Sequence, residues 1–499
     1  MGLFLQGFLS IFDPMTFLFV TLAIIGGIII GAIPGLTSSM GIILLLPMVY
    51  KLPPEVSLLV MAGLYCGGMY GGSISAILIN TPGAPAASAT VLDGHAMTKK
   101  GQAGKALSTA LIGSFFGGLF STLCLALIAP QLAKVALKFQ AAEYFSLSIF
   151  GLTIMAGSST KNIVKGLISG FFGLLISTVG IDTIVGIERF TFGNPYIMGG
   201  FSMLPVLIGV FALSQFFEDA ERKKGVGLEI IKQDLSSFML NSKELKGILP
   251  AMLIGAVVGT IIGIIPGTGG AIACFLAYDI VRNLSKKKDQ FGTGLIEGVA
   301  APEAANNGTT GGALIPMLTL GIPGDVTTAI MLGGLLLIGV RPGPLLFVER
   351  PEVVYSLLSG MFIIQFMMLG LGLAAAKISP KILDIPPMLM MPIVAVFCVV
   401  GAYTLGNSLY DVLVAFAFGI IGYFMRKRGY PGAPMVLGVI LGPMAEENLN
   451  RALVVSRNDW GVLITRPISA AFLIVSLLSV IWAFYSARKK AHVKKTCHK

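Results

Sequence analysis

Charge is what this chain lacks most. Only 12% of its 499 residues are Asp, Glu, Lys or Arg, about half the share of an ordinary soluble domain, so a water-soluble fold is excluded. Polar low-complexity tracts are missing too: the 63 glycines and 26 prolines lie inside long apolar runs, which sets disorder aside. Histidine is scarce (His95, His492, His498), and no His-Glu-x-x-His pair exists to build an intramembrane metalloprotease. Cys66, Cys124, Cys274, Cys398 and Cys497 show no Cys-x-x-Cys spacing and read as small inert hydrophobes. There is no Gly-x-Ser-x-Gly elbow and no phosphate loop, so neither hydrolysis nor ATP coupling has residues to carry it. The chain is not read as an enzyme. Its opening MGLFLQGFLSIFDP has no basic segment before the apolar stretch, so no cleaved signal peptide is expected.

What is present is hydrophobicity, at 55% of residues. A spanning helix needs about 20 apolar residues. Full-length runs occupy 14–33, 106–130, 163–187, 248–266, 354–376, 386–405, 408–425 and 467–487, with shorter or Gly/Pro-broken ones near 39–50, 56–92, 143–157, 203–217, 270–281, 311–340 and 433–445. The expectation is an all-α polytopic membrane protein of about 12 transmembrane helices plus broken elements or re-entrant hairpins. The formal charge is +11, yet Lys and Arg gather in short loops between apolar segments rather than on one face, which sets nucleic acid aside. The basic loops are Lys99–Lys105, Lys161–Lys165, Arg222–Lys224, Lys286–Lys288, Lys377–Lys381, Arg426–Arg428 and the tail from Arg488, and the positive-inside rule places all seven in the cytoplasm. The polar interlude 218–247 reads as a cytoplasmic linker. It divides a first membrane half (1–217, repeat core about 14–107) from a second (248–487, repeat core about 248–347), with 488–499 as a basic cytoplasmic tail.

The halves repeat one another. Gly27-x-x-x-Gly31-x-x-Pro34-Gly35 recurs as Gly259-x-x-x-Gly263-x-x-Pro266-Gly267, 232 positions later. GGSISAILINTPG (Gly71 to Gly83) is answered by GGALIPMLTLGIPG (Gly311 to Gly324). Pro-Gly pairs alone are weak evidence, since about three are expected by chance from such a composition; the ordered pair of longer frames is not. The GxxxG frames serve equally well as close-packing positions. Charge alternates between the repeats: Lys99, Lys100 and Lys105 follow the second frame in the first repeat, whereas Arg282 and Lys286–Lys288 lie between frames in the second. Equivalent loops therefore face opposite sides, the mark of an inverted-topology repeat, a construction in which secondary transporters bind substrate near the midplane.

Pro-Gly within an apolar run interrupts a helix, and the freed backbone groups must be buried in protein or line a cavity. The breaks expected to form the substrate site are Pro34-Gly35 with Thr37, Ser38 and Ser39; Asn80-Thr81-Pro82-Gly83; Pro266-Gly267 with Thr268, Gly269 and Gly270; and Pro323-Gly324. A helix restarting after such a turn aims unpaired N–H groups and a positive dipole end at the gap, which suits a carboxylate. The same Ser and Thr residues can instead simply cap the restarted helices. Ionisable residues in apolar surroundings are costly and informative: Asp93, Asp279, Glu297, Glu303 and Asp325. Glu303 lies in GVAAPEAANNGTTGG, where Asn306, Asn307, Thr309 and Thr310 supply further oxygens. Glu303, Asn306, Asn307 and Asp325 are thus the expected coupling-ion residues, for Na⁺ or H⁺, with no other cofactor. Asp93 and Glu297 also fit as interfacial residues, and Gly442 to Asn448 as an outward-facing solvated loop or docking surface.

PGLTSSMGIILLLP, GGSISAILINTPGAPAASATVLDGHAM followed by KKGQAGKAL, and GVAAPEAANNGTTGGALIPMLTLGIPGDVTTAIMLGGLLLIGVRPGPLLF closely resemble the large membrane subunit of the tripartite tricarboxylate transporter family, over nearly the whole chain. His95 stands where that pattern more often has proline. The resemblance implies a bacterial inner-membrane permease working with a small four-helix membrane subunit and a periplasmic solute-binding protein. It implies ion-gradient-driven uptake of a small di- or tricarboxylate, and it carries the family's motif positions over to Pro34, Gly35, Asn80, Thr81, Pro82, Gly83, Pro266, Gly267, Pro323 and Gly324. The competing readings are an anion channel and a stand-alone carboxylate carrier.

Overall fold

The computed structural model describes residues 2–158, 163–182, 186–221, 240–383 and 387–496. Lys161, Arg222, Lys223, Lys224, Cys497 and His498 lie outside the described residues, with most of the expected linker. A short α1 (Gly2–Ser10) precedes α2 (Pro14–Ala32). The Asp13 carboxylate accepts from the Thr16 N–H at 3.0 Å and Pro14 takes the first helical position, which starts α2 where the sequence changes. α2 stops at Ile33-Pro34-Gly35, Gly35 adopting φ 92°. α3 (Ser38–Val49) then begins from a Thr37 cap, and α4 (Pro54–Ile79) ends on Asn80 in the left-handed region at φ 57°. A 3-10 turn (Pro85–Ala87), α5 (Thr90–Lys99) and α6 (Ala103–Ala136) follow.

The next stretch holds α7 (Ala141–Ser158), α8 (Ile163–Ser177), the two-residue strands β1 (Gly180–Ile181) and β2 (Glu188–Arg189), α9 (Met203–Leu207), a π-helical turn (Ile208–Leu213) and α10 (Ser214–Glu221). The run at 163–187, expected as one span, is thereby corrected: the helix stops at Ser177, and the antiparallel ribbon pairs Gly180 with Arg189 and Ile181 with Glu188. Gly180 at φ 120° cannot continue a helix.

α11 (Ser242–Ile264) opens with an Asn241/Glu244 capping box and stops at Ile265-Pro266-Gly267. α12 (Gly269–Leu284) and α13 (Ile296–Leu320) follow, α13 ending on left-handed Gly321 (φ 71°), the counterpart of Asn80. Then come α14 (Val326–Leu337), α15 (Leu346–Glu349), α16 (Pro351–Leu383), α17 (Pro387–Gly406), α18 (Leu409–Lys427), α19 (Gly432–Val455), α20 (Val462–Thr465) and α21 (Pro467–Thr496). Six of the described helices are long and apolar enough to cross a membrane: α2, α4, α6, α11, the Pro351–Ile378 part of α16, and α18. Breaks leave α3 and α14 at 12 residues, and α13, long enough at 25, is polar and buried from Gly298 to Thr319.

The compact units do not coincide with the sequence halves. One comprises Met1–Lys134 with Ala220–Val396, the other Val135–Asp219 with Phe397–Lys499. In the second unit Arg189 forks onto Glu446 at 2.5 and 3.1 Å, tying β2 to α19, and Arg466 binds Glu143 at 2.5 Å. Gly442 to Asn448 is not a loop: α19 runs straight through Pro443, with Glu446 paired to Arg189 and Glu447 to Arg451 one turn on. The tail from Arg488 continues α21 as helix through Thr496.

The first unit holds both repeat cores. Ser57–Ile79 of α4 is buried throughout, as is Gly298–Thr319 of α13. α2 and α11 instead expose apolar stripes: Phe17, Leu18, Leu22 and Ile25 on one, Leu245, Leu249, Leu253, Val257 and Ile261 on the other. Each packs on a central helix through its glycines. A methyl group at Gly27 would lie 2.5 Å from the Leu64 carbonyl oxygen and one at Gly31 2.3 Å from that of Gly68; at Gly259 and Gly263 the distances are 2.2 Å to Ala305 and 2.8 Å to Thr309. The GxxxG frames are packing seams, and their partners repeat at a spacing of 241 positions.

Candidate functional site

The four breaks meet at one place in the first unit. Gly83 lies against the Gly31 carbonyl, and its N–H donates to the Gly72 carbonyl at 3.1 Å. The duplicate contact sets Gly324 against the Gly263 carbonyl, while Gly267 N–H donates to the Gly324 carbonyl at 2.7 Å. Between repeats, Ser39 and Thr327 share a hydroxyl–hydroxyl bond of 2.8 Å and Gly270 packs on Ala86; within the second repeat, Gly269 faces Asp325. The breaks thus close a ring.

From this ring the restarted helices leave in two side-by-side pairs. α3 and α14 run together from Ser39/Thr327 to Leu46/Gly334, and the 85–99 segment and α12 run together from Ala86/Gly270 to Asp93/Tyr278. The central helices oppose one another: Asn306 donates to the Met69 carbonyl (3.1 Å) and Asn307 to that of Cys66 (3.4 Å), so α13 advances as α4 recedes. All four restarted segments therefore begin at the ring. The N-terminal ends of α3, α12 and α14 gather there, those of α3 and α14 capped by Thr37 and Asp325, and their positive dipole ends favour negative charge.

The expected substrate residues take different positions on the ring. Thr37 caps α3, Ser38 is buried with its hydroxyl unpartnered among the described residues, and Ser39 bridges to Thr327. Thr268 does not cap α12. Its hydroxyl donates back to the Ile262 and Ile265 carbonyls (2.5 and 2.8 Å), closing the end of α11. Thr81 likewise returns to the Ile79 carbonyl at 3.3 Å, and Asn80 is exposed. Pro323, Gly324 and Asp325 are buried, whereas Pro34 and Gly35 are partly or fully exposed.

The expected coupling residues divide into two groups. Asp325 caps α14 through the Thr328 N–H (2.8 Å) and hydroxyl (2.7 Å), and accepts from the Tyr65 hydroxyl at 2.5 Å. Glu303 is wholly buried elsewhere on α13, accepting from Thr90 and, at 3.0 Å, from Ser114. Asn306 and Asn307 are wholly buried near it, and their Oδ1 atoms have no hydrogen-bond partner among the described residues. Tyr65, Thr90, Ser114 and Gln365 escaped sequence reasoning. Only Gln365, a lone amide in the apolar stretch MFIIQFMML, carried a signal.

Two other acids are reassigned. Asp279 is exposed on α12. Asp93 is fully buried, its carboxylate accepting from the Tyr278 hydroxyl (2.8 Å) and from the N–H groups of Gly292, Gly294 and Leu295 (2.7–3.0 Å), so it fastens the 290–295 loop to α5. Glu297 is partly buried and pairs with Lys287 at 3.7 Å.

Apolar spanning helices, buried polar central helices and a ring of helix breaks define a multi-pass membrane protein. A family model described as the tripartite tricarboxylate transporter TctA family matches residues 17–437, and the chain belongs to that family of transporters. It is 37% identical over 497 residues, 98% of each chain, to an uncharacterized 52.8 kDa protein in the TAR-I ttuC' 3' region of Agrobacterium vitis. It is 38% identical over 225 residues, 45% of this chain and 93% of the relative, to an uncharacterized protein in the TAR-II ttuC' 3' region of the same organism. No solved structure matches.

Proposed function

We propose that the chain is the large permease subunit of a system importing a small di- or tricarboxylate across a bacterial inner membrane, driven by a cation gradient. A solute-binding protein and a small membrane subunit complete the system, as tripartite family membership implies. The observation that carries the reading is the ring of four breaks at which the N-termini of α3, α12 and α14 converge, since converging helix N-termini favour an anion. The substrate is held by backbone N–H groups and hydroxyls around Pro34–Ser39, Asn80–Gly83, Pro266–Gly270 and Pro323–Gly324. Glu303, Asn306 and Asn307 hold the coupling ion, with Asp325 at the junction. Opposed central helices support an inverted duplication, in which the substrate site lies at the midplane and the C-terminus is cytoplasmic.

The transport reading is tested by reconstituting the three components in liposomes. Carboxylate is expected to accumulate against its own gradient when an inward cation gradient is imposed, and accumulation to collapse with an ionophore. Purely downhill flux at channel rates points to an anion channel instead, and undiminished uptake by the large subunit alone points to a stand-alone carrier. The inversion has its own check. Cysteines at Lys100 and Lys287 should react with a membrane-impermeant reagent from the same, cytoplasmic side; reaction from opposite sides sinks it.

A further inference from the structure

The carbonyl oxygens of three wholly buried amides, Asn306, Asn307 and Gln365, have no hydrogen-bond donor among the described residues. A buried acceptor left unpaired costs about 1–3 kcal/mol. The cost falls on one region. Gln365, on α16, places its Nε2 3.4 Å from Cys66 Sγ; Asn307 places its Nδ2 3.4 Å from the Cys66 carbonyl and 3.4 Å from Met368 Sδ. On α6, Gly118 faces Gln365 Oε1, and Ser121, one turn later, donates to the Asn307 backbone carbonyl at 3.5 Å. Both side-chain amides therefore lean on Cys66, while a single turn of α6 meets the Gln365 amide at Gly118 and the Asn307 backbone at Ser121. They spend N–H groups on weak acceptors and leave their oxygens without a donor among the described residues.

A proton satisfies one oxygen at a time, whereas a hard metal cation satisfies several neutral oxygens together. A divalent ion is disfavoured, because no cluster of three His, Cys, Asp or Glu exists among the described residues and Glu303, one turn before Asn307, is the carboxylate on this stretch of α13. We propose that Gln365 is a ligand of the coupling cation, that the cation is Na⁺, and that Gln365 Oε1 and Asn307 Oδ1 bind it with Glu303 supplying the neutralising charge. This rests on the cation-coupled reading above and adds α16 to the ion site.

The test is the thermal stability of the purified full-length chain in NaCl against choline chloride at equal ionic strength, followed by Na⁺ titration. Wild type is expected to be stabilised selectively by Na⁺. Gln365→Leu should raise the half-saturating Na⁺ concentration by about ten-fold or more, no less than the loss of an outer-sphere partner costs a metal site, while its melting point without Na⁺ stays near wild type. Gln365→Glu retains an oxygen and should restore the Na⁺ response. A wild-type Na⁺ shift that Gln365→Leu retains overturns the assignment of Gln365 and leaves coupling intact. If Gln365→Leu does not fold, a folded Gln365→Glu without a Na⁺ response overturns it as well. A wild type indifferent to Na⁺, with uptake abolished by a protonophore alone, overturns the Na⁺ reading itself.

Discussion

Gly83→Ala should yield almost no folded protein, whereas Gly26→Ala should be indistinguishable from wild type. The added methyl at Gly83 would sit 1.9 Å from the Gly31 carbonyl oxygen, with the Gly72 Cα at 2.9 Å; at Gly26 nothing lies within 4 Å. Overpacking a core with side chains that can shift costs about 1–3 kcal/mol. Here the obstacle is backbone in the last turn of a neighbouring helix, so the cost lies at or above the top of that range. Gly324, where the methyl would meet the Gly263 carbonyl oxygen at 2.4 Å, should respond in the same way. Size-exclusion profiles and melting temperatures in detergent decide the matter, and a Gly83→Ala protein melting like wild type would show that the ring of breaks is looser than described.

Glu303→Gln should fold and yet transport poorly. The glutamine keeps the volume and an oxygen to accept from Thr90 and Ser114, but the charge that pairs with the coupling ion is gone. Uptake at low cation concentration is expected to fall by about 5- to 150-fold, the span of coupling free energies of 1–3 kcal/mol. Binding of the carboxylate in the absence of a gradient should change much less. That contrast separates an ion ligand from a structural residue, since a structural role would lower protein yield and substrate binding together. Wild-type uptake by Glu303→Gln at limiting cation would remove Glu303 from the coupling site.

The sequence by itself determined the membrane class, the four chain breaks and the duplication, because each has a local cause. Sparse charge and long apolar runs permit no other solvent, proline and glycine interrupt helices wherever they fall together, and the two frames can be laid over one another by eye. Glu303, Asn306 and Asn307 were legible for a similar reason, polar groups in an apolar setting being conspicuous.

Tertiary structure decided what those residues touch. Thr268 and Ser38 look alike as hydroxyls after a Pro-Gly break, yet one closes the helix behind it and the other has no partner among the described residues. Asp93 and Asp279 are both acids on short helices, but only the first meets the N–H groups of the 290–295 loop, about 200 residues further along. The separation of Asp325 from Glu303, the continuity of α19 through Pro443 and the arrival of Gln365 beside Cys66 have the same origin. Helix periodicity fixes the face on which a residue lies, while its partner on another helix is set by how glycine-lined surfaces pack, a contact between segments far apart in the chain that no local pattern encodes.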